Sequence, residues 1–215
     1  MRNLPAIQHA NAKYIMPDPF FEEHSYLKRL APEAYLGYAA VHWSMTIADR
    51  KQGWLTTEFH SLFREILTHT AFRNGLLVPA YVLMPDHLHL LAMGYRESSD
   101  QRRGIRYLRK HLNRLLKPIG FLLQKQGYDH VIRKESRKRS LFQKVVQYIH
   151  ENPLRANLVE SPVDLPMYPY SGCVIPGYPE VNPWDESFWG TFWKLYIRLR
   201  ENPDNLPTVD PSGKT

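Results

Sequence analysis

Two histidines are the first side chains in this sequence whose type and spacing suit them for chemistry. His87 and His89 stand two residues apart within the largely apolar segment 81–92. If this segment is a strand, both imidazoles point to one face, with Cα atoms roughly 6.5–7 Å apart. Two imidazoles on one rigid face can bind a divalent cation, although two unrelated surface histidines would give the same pattern.

Tyr148 and Asn152 form the second candidate pair. They are four residues apart in segment 141–153, where apolar residues recur at helical spacing, so a hydroxyl and an amide oxygen become neighbours on one side of a helix. A free tyrosine has a pKa of about 10, so this hydroxyl is mostly protonated at neutral pH. The alternative is structural: Tyr148 is a packing residue, and Asn152 before Pro153 marks a helix boundary.

Hydrophobic periodicity predicts the elements that must position these side chains. Strands are expected over residues 37–47, 76–83, 87–93 and 128–133, and helices over 57–72, with Thr57 as its cap, 99–116 and 140–150. The order predicts an α+β fold: a ferredoxin-like βαββαβ antiparallel sheet followed by an additional helix that carries the tyrosine. Such a sheet is expected to have helices on one face and to leave the other face open for binding.

The composition divides the chain and excludes several classes of protein. We expect an N-terminal extension (1–36), a central domain (37–160) that contains the candidate residues, and a Pro-rich C-terminal extension (161–215) with one helix over 185–200, since ten of the 17 prolines occur from Pro153 onward. The single cysteine, Cys173, excludes an internal disulfide. No apolar run has membrane-spanning length, and the N-terminal segment lacks the apolar block of a secretory signal, so we expect a cytoplasmic protein without a membrane partner.

Basic residues are concentrated in the middle of the chain. The 215 residues carry a formal net charge of +7, and residues 101–144 contain 14 basic side chains against two acidic ones. This concentration favours an acidic partner such as a nucleic acid, although a solvated helix face is the simpler explanation for any single cation.

Three blocks of sequence, taken together, resemble the REP-associated tyrosine transposases, a family of the HUH-class single-strand DNA transposases. They are YVLMPDHLHLLA at 81–92, GYDHVIR at 127–133 and YIHENPLRANLV at 148–159, and the resemblance spans about residues 38–159. It implies that His87 and His89 are metal ligands, that Tyr148 is the nucleophile, and that Asn152 is the third ligand. Some proteins of the wider class have a glutamine at this last position, which reaches further than asparagine. As a nucleophile, Tyr148 needs a proton acceptor, such as a metal-bound water or His150.

The resemblance also implies a function. It predicts a metal-dependent (Mg²⁺ or Mn²⁺) nuclease and strand transferase that acts on single-stranded DNA at palindromic hairpin repeats. The reaction would pass through a covalent 5′-phosphotyrosine, in a monomer or a homodimer. Cations of the basic region would then bind DNA phosphates, and we expect this role for Arg109, Lys110, Arg133 and Lys138.

Two other functions fit the same residues. A nucleic-acid-binding protein without catalysis would share the basic region but would bind DNA regardless of a chelator. A metal-dependent hydrolase would use water as the nucleophile and would release a free 5′-phosphate, with Tyr148 as a bystander.

Overall fold

Five antiparallel strands form one sheet in the computed structural model, which describes residues 30–132 and 139–203. The strands are β1 Ala40–Thr46, β2 Leu76–Leu83, β3 His87–Gly94, β4 Tyr128–Ile132 and β5 Ser171–Val174. Their order across the sheet is β4-β1-β3-β2-β5. The first four strands have the predicted ferredoxin-like arrangement, and the α+β class is confirmed.

All four helices predicted from the sequence are present, and a short helix that was not predicted follows the one that carries the tyrosine. They are α1 Thr57–Asn74, α2 Gln101–Leu116, α3 Arg139–His150, the short α4 Asn152–Arg155, and α5 Phe188–Glu201. The prediction that Thr57 caps α1 is wrong by one residue. The side-chain oxygen of Thr56 accepts a hydrogen bond from the backbone N–H of Phe59 at 3.1 Å, because a cap must precede the first helical residue.

Both faces of the sheet are covered by helices, so the prediction of an open second face is wrong. Leu88 and Leu90 of β3 pack in one core with α1 and α2, whereas Leu91 and Met93 pack in a second core with α3 and α5. The reason is visible in β2, in which every residue is buried. A strand that is apolar on both sides needs a cover on both sides.

The Pro-rich segment after residue 160 contributes to this sheet and core. β5 pairs with β2 at the edge of the sheet, and α5 buries Phe188, Phe192, Tyr196 and Leu199 in the second core. In residues 30–132 and 139–203, no helix is both long enough and apolar enough to span a membrane.

Candidate active site

His87 and His89 share the face of the sheet on which α3 packs. The register pairs Thr46 of β1 with His87, and Ser44 with His89, so the alternation along β3 puts both imidazoles on one side as predicted. Their ring centroids are 4.8 Å apart and the rings are nearly perpendicular. His89 is buried, whereas the side chain of His87 is 22% exposed.

The turn between β2 and β3 fixes the orientation of His87. Asp86 Oδ1 is 2.5 Å from Nδ1 of His87, and Asp86 Oδ2 accepts a hydrogen bond from Arg50 at 2.9 Å. Burial raises the pKa of Asp86, but the hydrogen bonds and charges of His87 and Arg50 outweigh this effect and leave the pKa below its usual value. A carboxylate at Nδ1 selects the tautomer of His87 in which Nε2 has a lone pair for a ligand.

A third histidine, His42 of β1, is buried beside His89. Its Nε2 lies 3.1 Å from Nδ1 of His89, and the two ring centroids are 5.1 Å apart. Burial, and then the neighbouring His130, lower the pKa of His42 to about 3. Burial is also the main cause that holds the pKa of His89 well below its usual value. Both rings are therefore neutral at physiological pH, which is the state in which imidazole binds metals.

The last turn of α3 brings Tyr148 to the same place. Its ring packs edge-on against His42, with centroids 5.9 Å apart, and against His89, at 6.2 Å. The tyrosine is 9% exposed, so most of its ring is covered by these neighbours and by the second core. The structure thus brings the tyrosine next to the predicted histidine pair, although the two segments lie some 60 residues apart in the sequence.

Asn152 and Arg155 hold the backbone at Tyr148. The side-chain amide of Asn152 donates to the carbonyl oxygens of Tyr148, at 2.9 Å, and Ile149, at 3.1 Å. Arg155 donates to the same Tyr148 oxygen at 2.8 Å, and its guanidinium lies 4.5 Å from the centroid of the Tyr148 ring. The contacts of Asn152 use its amide nitrogen, which leaves the amide oxygen as the atom for a ligand role.

His150 is not placed to accept the proton of Tyr148. Side chains two residues apart on a helix do not face each other, and the His150 ring instead packs on Trp184, with centroids 4.6 Å apart. Burial lowers the pKa of His150 to about 4. The structure therefore disfavours His150, which is one of the two proton acceptors suggested for Tyr148 from the sequence.

The four residues predicted to bind DNA have different surroundings. Lys110 is exposed on α2, whereas the guanidinium of Arg109 donates to the carbonyl oxygens of Gln124 and Lys125, ahead of β4. For Arg109 to contact a DNA phosphate through the same guanidinium nitrogen, its hydrogen bonds to these two carbonyls would have to break. Arg133 and Lys138 lie outside the described residues, and the role of all four in DNA binding stays a prediction.

Two imidazoles and one amide oxygen are donor types that together suit a divalent cation. Across residues 30–132 and 139–203, no group of three or more His, Cys, Asp or Glu side chains is arranged to hold a metal. A third protein ligand to such a cation would therefore be of another type, and the amide oxygen of Asn152 stays the prediction from the sequence. Nitrogen and oxygen donors of this kind suit Mn²⁺ and, with water as further ligand, Mg²⁺.

Three residues that contact this site were not predicted from the sequence: His42, Asp86 and Arg155. His42 lies on the polar side of the predicted first strand, but its contact with His89 depends on the pairing of β1 with β3. Asp86 directly precedes His87, which is a signal that could have been used. Arg155 follows Tyr148 by seven residues, two helical turns further along.

The comparisons with known proteins concern the fold. No protein-family model and no curated protein matches this sequence. Among solved structures, a REP-associated tyrosine transposase bound to a REP hairpin has a TM-score of 0.56 and 19% sequence identity, over 69% of this chain and 82% of the transposase. A candidate transposase from Deinococcus radiodurans has a TM-score of 0.38 and 18% identity, over 60% of this chain and 97% of that one. The chain therefore has the fold of the first of these proteins, and the resemblance inferred from the sequence is confirmed at that level.

Proposed function

We propose that this protein is an HUH-type transposase-like enzyme, a metal-dependent endonuclease and strand transferase for single-stranded DNA. It would act at palindromic hairpin repeats through a covalent 5′-phosphotyrosine at Tyr148. The observation that carries the proposal is the contact of the Tyr148 ring with His89, next to His87. A fold shared with a transposase bound to a REP hairpin supports it.

His87, His89 and Asn152 are the residues that would hold the metal. Asp86 keeps Nε2 of His87 free for this purpose, and burial keeps His89 neutral. When bound, Mg²⁺ or Mn²⁺ would neutralise charge on the scissile phosphate and so ease the approach of an anionic nucleophile.

Tyr148 would supply that nucleophile. A bond forms between its oxygen and phosphorus, the bond from phosphorus to the 3′ oxygen breaks, and the proton lost by the tyrosine balances the one gained by the released 3′-OH. The Arg155 guanidinium, 4.5 Å from the ring centroid, favours the negative charge that develops on the phenol oxygen. One phosphoester replaces another, so the strand can be rejoined without an external energy source.

The basic helix α2 would bind a different part of the DNA. It packs in the first core, on the face of the sheet opposite Tyr148. Its exposed cations, such as Lys110, would therefore contact phosphates away from the scissile one. Such contacts position the substrate without reading its sequence.

The proposal is tested with a single-stranded hairpin oligonucleotide that carries different labels at its two ends, incubated with the full chain and Mn²⁺. We expect the 3′-end label to migrate with the protein on a denaturing gel and the 5′-end label to appear in a shorter strand with a free 3′-OH. Tyr148→Phe and addition of EDTA should each abolish the adduct. Tyr107→Phe, a tyrosine of α2, is the matched control and should form it normally.

Two outcomes would overturn the proposal. A free 5′-phosphate product that Tyr148→Phe still makes would identify a hydrolase with a water nucleophile. Hairpin binding that survives EDTA and gives no cleavage with any divalent metal would identify a DNA-binding protein without catalysis.

A further inference from the structure

His42 is a buried histidine of the candidate site that has no role in the reaction as proposed above. It is 3% exposed, and it contacts the two side chains on which the site depends, the ring of Tyr148 and the ring of His89. Its Nε2 is 3.1 Å from Nδ1 of His89, within hydrogen-bond distance. Burying an imidazole costs free energy, so a buried imidazole at this point calls for a specific partner.

The chemistry of imidazole makes the direction of this hydrogen bond decisive. A neutral ring has one N–H and one lone pair. If His42 donates to Nδ1 of His89, the proton of His89 is on Nε2 and neither nitrogen of that ring can bind a cation without breaking the contact. If His89 donates from Nδ1 to His42, then Nε2 of His89 keeps its lone pair. Only the second arrangement is compatible with His89 as a metal ligand.

We propose that His42 is a positioning residue that accepts a hydrogen bond from Nδ1–H of His89, fixing the tautomer and ring orientation in which Nε2 of His89 binds the divalent cation. This inference rests on the proposed function, because it assigns the role of His42 through the metal site. His42 then does for His89 what Asp86 does for His87, whose Nδ1 is 2.5 Å from the carboxylate. Each ligand is thus oriented by a partner of its own, His89 by His42 of β1 and His87 by Asp86 in the turn before β3. Removing such a partner of a metal ligand typically costs about 10–100-fold in metal affinity.

The first test reads the tautomer directly, without DNA and without metal. In the ¹⁵N-labelled full chain at neutral pH, long-range ¹H–¹⁵N correlation spectra distinguish a protonated from an unprotonated ring nitrogen. We expect His89 to be protonated at Nδ1 and unprotonated at Nε2. A proton on Nε2 of His89 in the native protein would overturn the proposal, whatever the variants do.

The second test measures Mn²⁺ binding to variants by electron paramagnetic resonance. His42→Phe keeps a ring of similar size but has no acceptor, and we expect its Mn²⁺ affinity to fall by about 10–100-fold. His42→Gln restores an oxygen acceptor and should recover most of the loss. Ser44→Ala is the matched control, because Ser44 is the register partner of His89 on the same face of β1 and should leave the affinity unchanged. Unchanged affinity in a folded His42→Phe would overturn the proposal.

These readouts separate the two proposals. A native protein that has the predicted tautomer and binds Mn²⁺ but forms no DNA adduct would leave His42 as the positioning residue and refute the strand-transfer function. A normal adduct yield, with unchanged Mn²⁺ dependence, in His42→Phe would refute only the role of His42.

Discussion

Arg155 gives the candidate nucleophile a cationic neighbour. One guanidinium N–H donates to the Tyr148 carbonyl, another donates to Glu151 at 2.6 Å, and the guanidinium carbon lies 4.5 Å from the centre of the Tyr148 ring. The two hydrogen bonds fix the guanidinium group in one plane. A fixed positive charge beside a phenol stabilises the anion that forms as the proton leaves.

We therefore expect Arg155→Met to lower the single-turnover rate of adduct formation by about 10-fold, the equivalent of about 1.4 kcal/mol. Arg155→Lys keeps the charge and should lose less. The measurement is the rate of appearance of the protein–DNA band under saturating oligonucleotide and Mn²⁺.

The control for Arg155 is Arg200→Met, since the guanidinium of Arg200 lies 4.4 Å from the ring of another tyrosine, Tyr38. It should leave the rate unchanged. An equal loss in both variants, or a loss in Arg155→Met that tracks a lower melting temperature, would contradict a charge effect on the chemical step.

The neighbours Arg109 and Lys110 differ in role although both are basic residues of α2. Arg109 is bound to the carbonyls of Gln124 and Lys125, and Lys110 is exposed. We expect Arg109→Gln to lower the free energy of unfolding by about 1–2 kcal/mol, because charge-assisted hydrogen bonds to the segment before β4 are lost. Chemical denaturation of the native protein and the variant measures the difference in the free energy of unfolding.

Lys110→Gln is expected to leave stability unchanged and to weaken hairpin binding. If Lys110 contacts one phosphate, the slope of log affinity against log salt concentration should decrease by about one. Affinity titrations at four or more salt concentrations check this, and a salt slope identical to that of the native protein would show that Lys110 touches no phosphate.

At the scale of elements, helix α1 contains a titratable group that links folding to pH. His60 is buried against β2, where its Nε2 lies 3.0 Å from the hydroxyl of Tyr81, and it also contacts the ring of Tyr170. Burial, and then the positive charge of Arg64, lower its pKa from 6.5 to about 4. As the pH falls, the unfolded chain therefore takes up this proton before the folded chain does.

The contribution of His60 to stability is complete above pH 6.5 and is lost between pH 6.5 and 4. We expect His60→Gln to flatten the pH dependence of the unfolding free energy over this range by about 1–2 kcal/mol, a value reduced for solvent screening. His69→Gln, at an exposed position of the same helix, is the control and should keep the native slope. Parallel pH profiles for the two variants would refute the prediction.

Local periodicity was sufficient to predict most elements. β2 and β3 have the expected limits within one residue, because long apolar runs on either side of Pro85 leave few alternatives. The edge strand β5 was not predicted. It has four residues, one of them Gly172, within a Pro-rich stretch, and its extended form depends on pairing with β2.

In the candidate site, too, some features follow from local periodicity and others depend on how the strands pair. The shared face of His87 and His89 follows from the two-residue period of a strand, and the proximity of Tyr148 to Asn152 follows from the helix. The contact of His42 with His89 could not be predicted, because it requires the register between β1 and β3. The packing of α3 and α5 on the second face of the sheet, which was expected to be open, could not be predicted either.

At the scale of the whole molecule, the segment after residue 160 adds to the core behind the site. Phe192 of α5 is completely buried in the second core, to which Tyr148 also belongs. The ring of Phe192 contacts Phe188, Trp189 and Trp193. The support of α3 on the sheet thus includes residues far beyond the predicted catalytic segment.

We expect Phe192→Ala to lower the free energy of unfolding by about 3–5 kcal/mol, since it removes a buried aromatic side chain and leaves a cavity. Ile197→Ala is the control on the same helix, because Ile197 is 46% exposed, and it should change stability by less than about 0.5 kcal/mol. Denaturant titrations distinguish the two. A loss under 1 kcal/mol for Phe192→Ala would show that α5 contributes little to the fold.

The proposed reaction requires that the Tyr148 oxygen becomes bonded to DNA. Trypsin cleaves after Lys144 and Arg155, so Tyr148 lies in peptide 145–155 as its only tyrosine. After reaction with the hairpin oligonucleotide and Mn²⁺, and nuclease trimming of the DNA, mass spectrometry should find a phosphate-linked nucleotide remnant on this peptide. An adduct on any other peptide, or cleaved DNA with no modified peptide at all, would contradict the role of Tyr148 as the nucleophile.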